Sequence, residues 1–159
     1  MSNSLGDMER QVAEHIAAMV DDSLRFGAAG DWYNAVQSIR PIFAQYGPDE
    51  GFAWTRAMIR RLPIDRCGCE EGHPVQPVVA QLDTDTGAVT VRDIHDADIP
   101  TGIRVLAQMI AATANDDYDT ARALWDAVVD NEDTEATFTI MERALFYAVQ
   151  ALREEAGRS

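Results

Sequence analysis

Lysine is absent from this chain of 159 residues, and all 13 of its basic residues are arginines. The absence excludes every mechanism that depends on a lysine amine. These mechanisms include Schiff-base catalysis, phosphate binding by the lysine of a P-loop, and the paired lysine of protein kinases.

Positive charge is also scarce, because 27 acidic residues outnumber the 13 arginines and give a net charge of −14. A charge of this sign repels phosphate backbones and anionic lipids, so we expect neither nucleic-acid nor membrane binding. An acidic protein that imitates DNA stays open as an alternative. The other explanation of the acidic charge is that these residues form solvent-exposed helix faces, because they are interleaved with apolar residues at helical spacing.

Long hydrophobic runs are missing as well. No uncharged apolar stretch approaches the ~20 residues that a membrane-spanning helix needs. The segment from Met1 to Asp7 lacks a basic start followed by an apolar core, so the sequence predicts no signal peptide and a cytoplasmic location. The hydrophobic content of 47% and the charged content of 25% are typical of a globular protein, and the length suits one domain.

Two stretches of the sequence follow one pattern, that of a helical hairpin. The matched positions are Asp31 and Asp117, Trp32 and Tyr118, Ala35 and Ala121, Ile39 and Trp125, Ile42 and Val128, Phe43 and Val129, and Phe52 and Phe138. A hairpin of two amphipathic helices cannot bury its apolar face alone, so it must stack on a neighbour. The repeat therefore predicts an architecture of stacked helical units.

Apolar spacing in the first half of the chain predicts three helices. The first covers about residues 6–26, with His15 on its apolar stripe and therefore in the core. Gly30 supplies the backbone conformation that ends this helix, and Asp31 caps the second. We expect Pro41 to kink the second helix, and a third helix to follow.

The period changes in the middle of the chain. Runs rich in β-branched residues at 78–82 and 88–92 flank the segment 83–87 and predict an antiparallel β-hairpin. In its turn we expect Asp and Thr side chains to bond the local backbone and Gly87 to take a positive φ. A lone two-stranded hairpin is marginal in water, so this one must lie on the helices or extend a partner's sheet.

Helical spacing resumes near Pro100 and predicts three more helices. The fourth ends at Asn115 as its left-handed terminator, and Asp116 or Asp117 caps the fifth. The sixth runs from about residue 134 to 155. Aromatic residues at helix-packing positions should lie in the core, and these are Trp32, Trp54 and Trp125.

The junctions of both hairpins resemble the tetratricopeptide (TPR) repeat. The residues that carry the resemblance are Gly30-Asp31-Trp32-Tyr33-Asn34-Ala35 with Ile39 and Ile42, and Asn115-Asp116-Asp117-Tyr118-Asp119-Thr120-Ala121 with Trp125 and Val128. Pro48 falls where that family places its terminal proline, and Trp54 falls where the next repeat has its first aromatic residue. The resemblance implies a protein-interaction module whose inner surface holds a peptide or a partner helix.

The expected fold is therefore a mostly α single domain over residues 1–159. It contains two stacked αα-hairpin units, arranged as a TPR-like stack or as another helical bundle, with an embedded two-stranded β-hairpin. The first helical unit covers residues 1–62, the loop and hairpin cover 63–98, and the second helical unit covers 99–156.

One segment combines the residue types that bind zinc, which are Cys67, Cys69 and His73. The hairpin returns the chain, so His95 is the candidate fourth ligand of a tetrahedral site. A one-residue gap between cysteines is less common in zinc sites than a two-residue gap. A redox pair that closes a strained disulfide and a pair of reduced, unliganded thiols are the other readings. The expected cofactor is none, with zinc as the alternative.

Arginines cluster on and just after the third predicted helix. Arg56 and Arg60 are four residues apart and so share a helix face, and Arg61 is next to them. Against the acidic background, this face is the candidate site for a carboxylate-rich or phosphorylated partner. The alternative is local pairing with nearby acids, which are Glu50, Asp65, Glu70 and Glu71.

Catalytic motifs do not stand out: the sequence has no Ser-His-Asp order and no Gly-rich phosphate loop. The group Asp93, His95, Asp96 and Asp98 forms either a general-base or metal site, or a solvated loop that caps the next helix. The sequence therefore favours a non-enzymatic intracellular adaptor or regulatory protein that binds a protein or peptide, with an acidic partner fitting the arginines. A metal- or redox-responsive protein is the alternative, and a small enzyme comes third. The β-hairpin has an unpaired edge, so a homodimer in which two copies pair along this edge is also possible from the sequence.

Overall fold

The computed structural model describes residues 2–64 and 73–158 of the chain. The expected mostly α fold with an embedded two-stranded β-hairpin is confirmed. Its helices are α1 (Ser2–Ala28), α2 (Trp32–Gln37), α3 (Pro48–Ile59), α4 (Thr101–Ala114), α5 (Tyr118–Asp130) and α6 (Thr134–Arg158), with a π-helical turn at Ile42–Tyr46. The strands are β1 (Val79–Leu82) and β2 (Val89–Arg92). Within the described ranges, no helix has the length and apolar character of a membrane span.

The chain groups into two compact units. Unit 1 consists of Met1–Leu62 with Ala144–Ser159, and unit 2 consists of Pro63–Arg143. Helix α6 thus contributes its first ten residues to unit 2 and the remainder to unit 1. Each unit is described by itself below.

Large apolar side chains form the core of unit 1. Its fully or almost fully buried members include Ile16, Val20, Leu24, Ile39, Ile42, Trp54, Met58, Leu145 and Val149. The large buried apolar side chains of α1 are Ile16, Val20 and Leu24, and their interval of four residues is the spacing of a single helix face. This stripe is narrower than the sequence predicts. His15 lies beside it and is exposed, with its ring centroid 5.2 Å from that of Tyr46, so its predicted core position is wrong.

Pro41 interrupts the second helical segment more strongly than the predicted kink. Helix α2 ends at Gln37, four residues before the proline, and the chain passes through Pro41 into the π-helical turn. Proline has no N–H to donate to the carbonyl four residues earlier, and its ring clashes with that carbonyl, so regular hydrogen bonding cannot cross this point. The hydroxyls of Ser23 in α1 and Ser38 lie 2.6 Å apart and hold the chain where α2 stops.

Unit 2 contains the hairpin of α4 and α5 and the first part of α6. Trp125 and Ile140 are fully buried in it, and Leu106 and Val128 are almost fully buried. The predicted terminator of α4 is displaced by one residue. Asn115 keeps a φ of −89°, and Asp116 takes the left-handed conformation with a φ of +57°. The N–H of Asp117 then donates to the carbonyl of Ala112, which completes a Schellman motif.

An aspartate caps the helix that follows each of three reversals. Asp31 accepts a hydrogen bond from the Asn34 N–H, Asp117 from the Thr120 N–H, and Asp133 from the Ala136 N–H. The caps at Asp31 and Asp117 confirm the sequence prediction. Hydrogen bonds from the side chain and the backbone of Thr120 lower the pKa of Asp117, so this cap contributes stability above the carboxyl's ordinary range and loses it as protonation sets in at lower pH.

The β-hairpin has the predicted antiparallel form, and each strand begins one residue later than expected. Ala80 pairs with Val91, and Leu82 pairs with Val89. In the turn, a carboxylate oxygen of Asp83 accepts from the N–H groups of Asp85 and Thr86, and Gly87 has a φ of +72°. These features confirm the predicted turn chemistry. Strand β1 also contacts α4, as a marginal hairpin requires.

Gly102 marks a close approach between α4 and the first part of α6. A Cβ atom at this position would lie 2.8 Å from the Cβ of Thr139 and 2.9 Å from the backbone carbonyl oxygen of Ala136. The carbonyl cannot move without shifting α6, so this contact admits only glycine.

We expect Gly102→Ala to lower the free energy of unfolding by about 1–3 kcal/mol, because the added methyl overpacks a backbone contact. The matched control is Gly157→Ala, where a Cβ meets no atom within 4 Å. That change should be neutral or stabilise by about 0.5–1 kcal/mol through helix propensity. Urea denaturation measures both, and equal stability of the two variants would contradict the close approach.

Candidate functional site

The predicted zinc ligands are only partly within the described residues. Cys67 and Cys69 lie outside them, whereas His73 and His95 are both described and both exposed. Across residues 2–64 and 73–158, no three His, Cys, Asp or Glu side chains come together in a way that could hold a metal ion. The zinc and redox hypotheses for the Cys67–His73 segment therefore stay predictions.

The predicted arginine face lies at the C-terminal end of α3. Arg56 is half-buried and bonded to a neighbour, and Arg60 is exposed. Arg61 points a guanidinium nitrogen at a carboxylate oxygen of Asp21, 3.4 Å away, with both side chains largely open to solvent. An exposed ion pair of this kind contributes about 0–1 kcal/mol, so a partner carboxylate can displace it at small cost. Binding of a partner to these three arginines stays a prediction.

The aspartate-rich loop after β2 is organised by two arginines. Arg92 contacts Asp96, with a nitrogen–oxygen distance of 3.2 Å. Arg104 of α4 donates to three backbone carbonyls, at 2.8 Å to Ile94, 2.7 Å to Asp96 and 3.2 Å to Ile99. No aspartate of this loop caps α4, because Pro100 is the N-cap and makes no side-chain bond. The predicted capping role of the loop is therefore wrong.

One feature of the sequence pointed to Arg104, and the prediction did not use it. A cation in the first turn of a helix is disfavoured by the helix dipole, so an arginine there needs another partner. In the structure, the partners of the Arg104 guanidinium are backbone carbonyls of the loop, including those of Ile94 and Ile99. Arg104 is thus a positioning residue for the chain between β2 and α4.

Asn115 holds the chain that leads into the β-hairpin. Its side-chain oxygen accepts from the N–H of Val75 at 2.8 Å, and its side-chain nitrogen donates to the carbonyl of Val75 at 3.0 Å. The amide thereby pairs with a backbone group as a neighbouring strand would. These two residues are 40 positions apart in sequence, so local pattern could not predict the contact.

Three aromatic rings form a cluster on the surface of unit 1, and we call Trp32, Phe146 and Tyr147 the aromatic cluster. The rings of Trp32 and Phe146 have centroids 5.5 Å apart, and those of Phe146 and Tyr147 are 6.0 Å apart, edge to face. Phe146 and Tyr147 each keep 38% of their area exposed, and Trp32 is half-buried. The predicted core position of Trp32 is therefore only partly realised, whereas Trp54 and Trp125 are fully buried as predicted.

The sequence contained a usable signal for this cluster. Leu145 and Val149 of α6 are fully buried and four residues apart, which fixes the inward face of the helix. Two aromatic residues that directly follow Leu145 must therefore point away from that face. What the sequence could not show is that Trp32, at the start of α2, meets them.

A shallow cleft lies within unit 2 where α4 and α6 begin. Its volume is about 190 Å³, and its lining includes Pro100, Gly102, Asp133 and Thr139. Pockets that bind small molecules usually measure ~300–1,000 Å³. This cleft is therefore too small to indicate a substrate site.

No protein-family model, curated protein or solved structure matches this chain. The surfaces of the molecule are therefore the basis for any functional conclusion.

We expect Arg104→Met to lower the free energy of unfolding by about 2 kcal/mol, because it removes a charged donor from three carbonyls. The amides of Asp96 and Ile99, which bond carbonyls within the loop, should exchange hydrogen faster. The control is Arg40→Met, at an exposed arginine, with a change within about 0.5 kcal/mol. Unchanged exchange at Asp96 and Ile99 would show that Arg104 does not position the loop.

Proposed function

We propose that this protein is a non-enzymatic protein-binding module that acts in the cytoplasm. The observation that carries the proposal is the aromatic cluster, in which the ring of Phe146 contacts those of Trp32 and Tyr147, while Phe146 and Tyr147 each keep 38% of their area exposed. Aromatic residues are enriched at protein interfaces and dominate their hot spots, because they bury a large area with few rotatable bonds. Tyr33, next to Trp32 on α2, is 74% exposed and enlarges the area that a partner could cover.

The proposed partner inserts apolar side chains against the aromatic cluster. A peptide segment or a helix fits this role, and the resemblance of both helical hairpins to TPR repeats favours the same class of partner. The arginines Arg56, Arg60 and Arg61 belong to the same compact unit and supply the cations for carboxylates or phosphates of that partner. An acidic peptide with apolar anchors is therefore the partner chemistry that we propose.

The aromatic cluster should be required for binding but not for folding. In Phe146→Gln with Tyr147→Gln, we expect partner affinity to fall at least about 30-fold, because the loss of even one hot-spot aromatic residue costs about 2 kcal/mol or more. The free energy of unfolding should fall by no more than about 1–2 kcal/mol, since both side chains are partly exposed and glutamine favours helix, so the variant stays folded. The matched control is Tyr118→Gln, at the position equivalent to Trp32 in the second hairpin, where the ring is 45% exposed.

The experiment compares the proteins that each variant captures from a lysate of the source cells, quantified by mass spectrometry, followed by titration of the purified partner. Proteins that bind the wild type and the Tyr118 variant, and that are lost with the double variant, support the proposal. If the double variant folds normally and captures the same proteins with the same affinity, the aromatic cluster is not the binding surface.

The arginine contribution is tested separately in the same titrations. Arg60→Glu should weaken binding about tenfold and reduce its dependence on salt, because it replaces an exposed cation that faces a partner anion. Arg40→Glu makes the same change of charge at another exposed arginine of unit 1 and is the control. Equal affinities of these two variants would remove the arginine face from the interface.

A further inference from the structure

The β-hairpin of unit 2 exposes its apolar face. Val89 and Val91 are 66% and 68% exposed, and Val78, just before β1, is 54% exposed. Ala80 pairs with Val91 across the ladder and therefore lies on the same side of the sheet. We call these four residues, Val78, Ala80, Val89 and Val91, the valine face. Nothing in the described part of the chain covers it.

The opposite side of the hairpin carries the polar residues Gln81, Thr90 and Arg92 together with the half-buried Val79. Arg92 donates to the side-chain oxygen of Gln81 at 2.7 Å and to the carboxylate of Asp96 at 3.2 Å. Because side chains alternate along a strand, these bonds fix the valine face on the other side. A half-buried hairpin normally turns its apolar residues inward and its polar residues outward. Here the bonds of Arg92 hold an arrangement in which valines remain in solvent.

An apolar face on two strands is most readily covered by a helix. Strands lie about 4.8 Å apart, so a two-stranded ribbon is about as wide as one helix, whose diameter is ~10 Å. A helix on a sheet is also one of the few stable layered arrangements. A third strand, paired at the edge of the hairpin, would widen the sheet without covering the apolar face.

The negative charge of unit 2 indicates the charge of the helix that would bind there. Unit 2 contains 17 acidic residues against 5 arginines, whereas unit 1 contains 10 against 8. Aspartates stand at both ends of the hairpin, with Asp83 and Asp85 in the turn and Asp93 directly after β2. A second copy would bring two strongly acidic units together, and an acidic partner would meet the same repulsion. A basic partner is attracted by this surface.

We propose that the valine face binds an amphipathic helix of a partner protein, whose apolar stripe is flanked by lysine or arginine residues. Four strand residues extend roughly 13 Å. A helix rises 1.5 Å per residue, so basic side chains about 8–10 positions apart would meet the aspartates at the two ends. This surface lies in unit 2 and is distinct from the aromatic cluster of unit 1, so either proposal can fail without the other.

The probe is a synthetic 16-residue helical peptide with leucines at i, i+3, i+4 and i+7 and with lysines on both sides of the leucines, about nine positions apart. Calorimetric titration into the full chain should show saturable 1:1 binding that weakens as salt is raised. A second peptide, with each lysine replaced by glutamate, should not bind. Val89→Thr with Val91→Thr should weaken binding about tenfold or more, because it replaces two exposed methyls by hydroxyls and keeps the β-branched shape.

The control variant is Thr90→Ser, which changes the opposite side of the same strand and should bind as the wild type does. Val78→Thr lies outside both strands and provides a second test that leaves the ladder intact. Circular dichroism and melting of each variant show that the fold is retained. Equal affinity of the wild type and the valine variants, or no binding of the basic peptide, would overturn the proposal. A wild-type dimer in sedimentation equilibrium that Val89→Thr with Val91→Thr abolishes would also overturn it, because the occupant would then be a second copy.

Discussion

The reversal between consecutive helices is the constraint on which the helical part of this structure depends. In each of three cases a residue with positive φ ends one helix, and the aspartate that follows caps the next. The positive φ falls on Gly30, Asp116 and Glu132, and the caps are Asp31, Asp117 and Asp133. This device satisfies backbone groups at both helix ends within a few residues. It also fixes which residue opens the next helix, and in the first hairpin that residue is Trp32 of the aromatic cluster.

Local chemistry explains what could be predicted from the sequence. Caps, turn residues and periodicity act over a few positions, so Asp31, Asp117, Gly87 and the six helical segments followed from the pattern. The prediction of helix ends failed where neighbouring residues could adopt the left-handed conformation at similar cost. A glycine near the end of a helix predicts a residue with positive φ. Asp116 and Glu132 adopt the same left-handed conformation at a modest steric cost, and their residue types do not predict it. Pro41 was recognised as a disturbance, and only the structure showed that α2 stops before it.

Tertiary contacts explain what could not be predicted. The burial of α1 depends on what packs against it, so the stripe ends at Ile16, and His15 is left in solvent. Asn115 pairs with the backbone of Val75 across 40 positions, and Phe146 meets Trp32 from the far end of the chain. Partner binding at Arg56, Arg60 and Arg61 stays a prediction from the sequence, and the aromatic cluster was not predicted. The aromatic cluster therefore became visible only once distant segments were placed together. The hairpin that carries the valine face was predicted from the sequence, and the structure adds that its valines are exposed. The two surfaces give the units different surface chemistry: a nearly neutral unit with aromatic rings and a strongly acidic unit with a valine face.

Hydroxyl-radical footprinting of the isolated protein tests most directly the central claim, which is that the aromatic cluster is open to a partner. Oxidation rates of individual side chains report their exposure in solution. We expect rapid oxidation of Tyr33, Phe146 and Tyr147 in the isolated protein, and protection of Trp54 and Trp125. Protection of Phe146 and Tyr147 to the level of Trp54 would contradict the account, because the cluster would then already be covered within the chain.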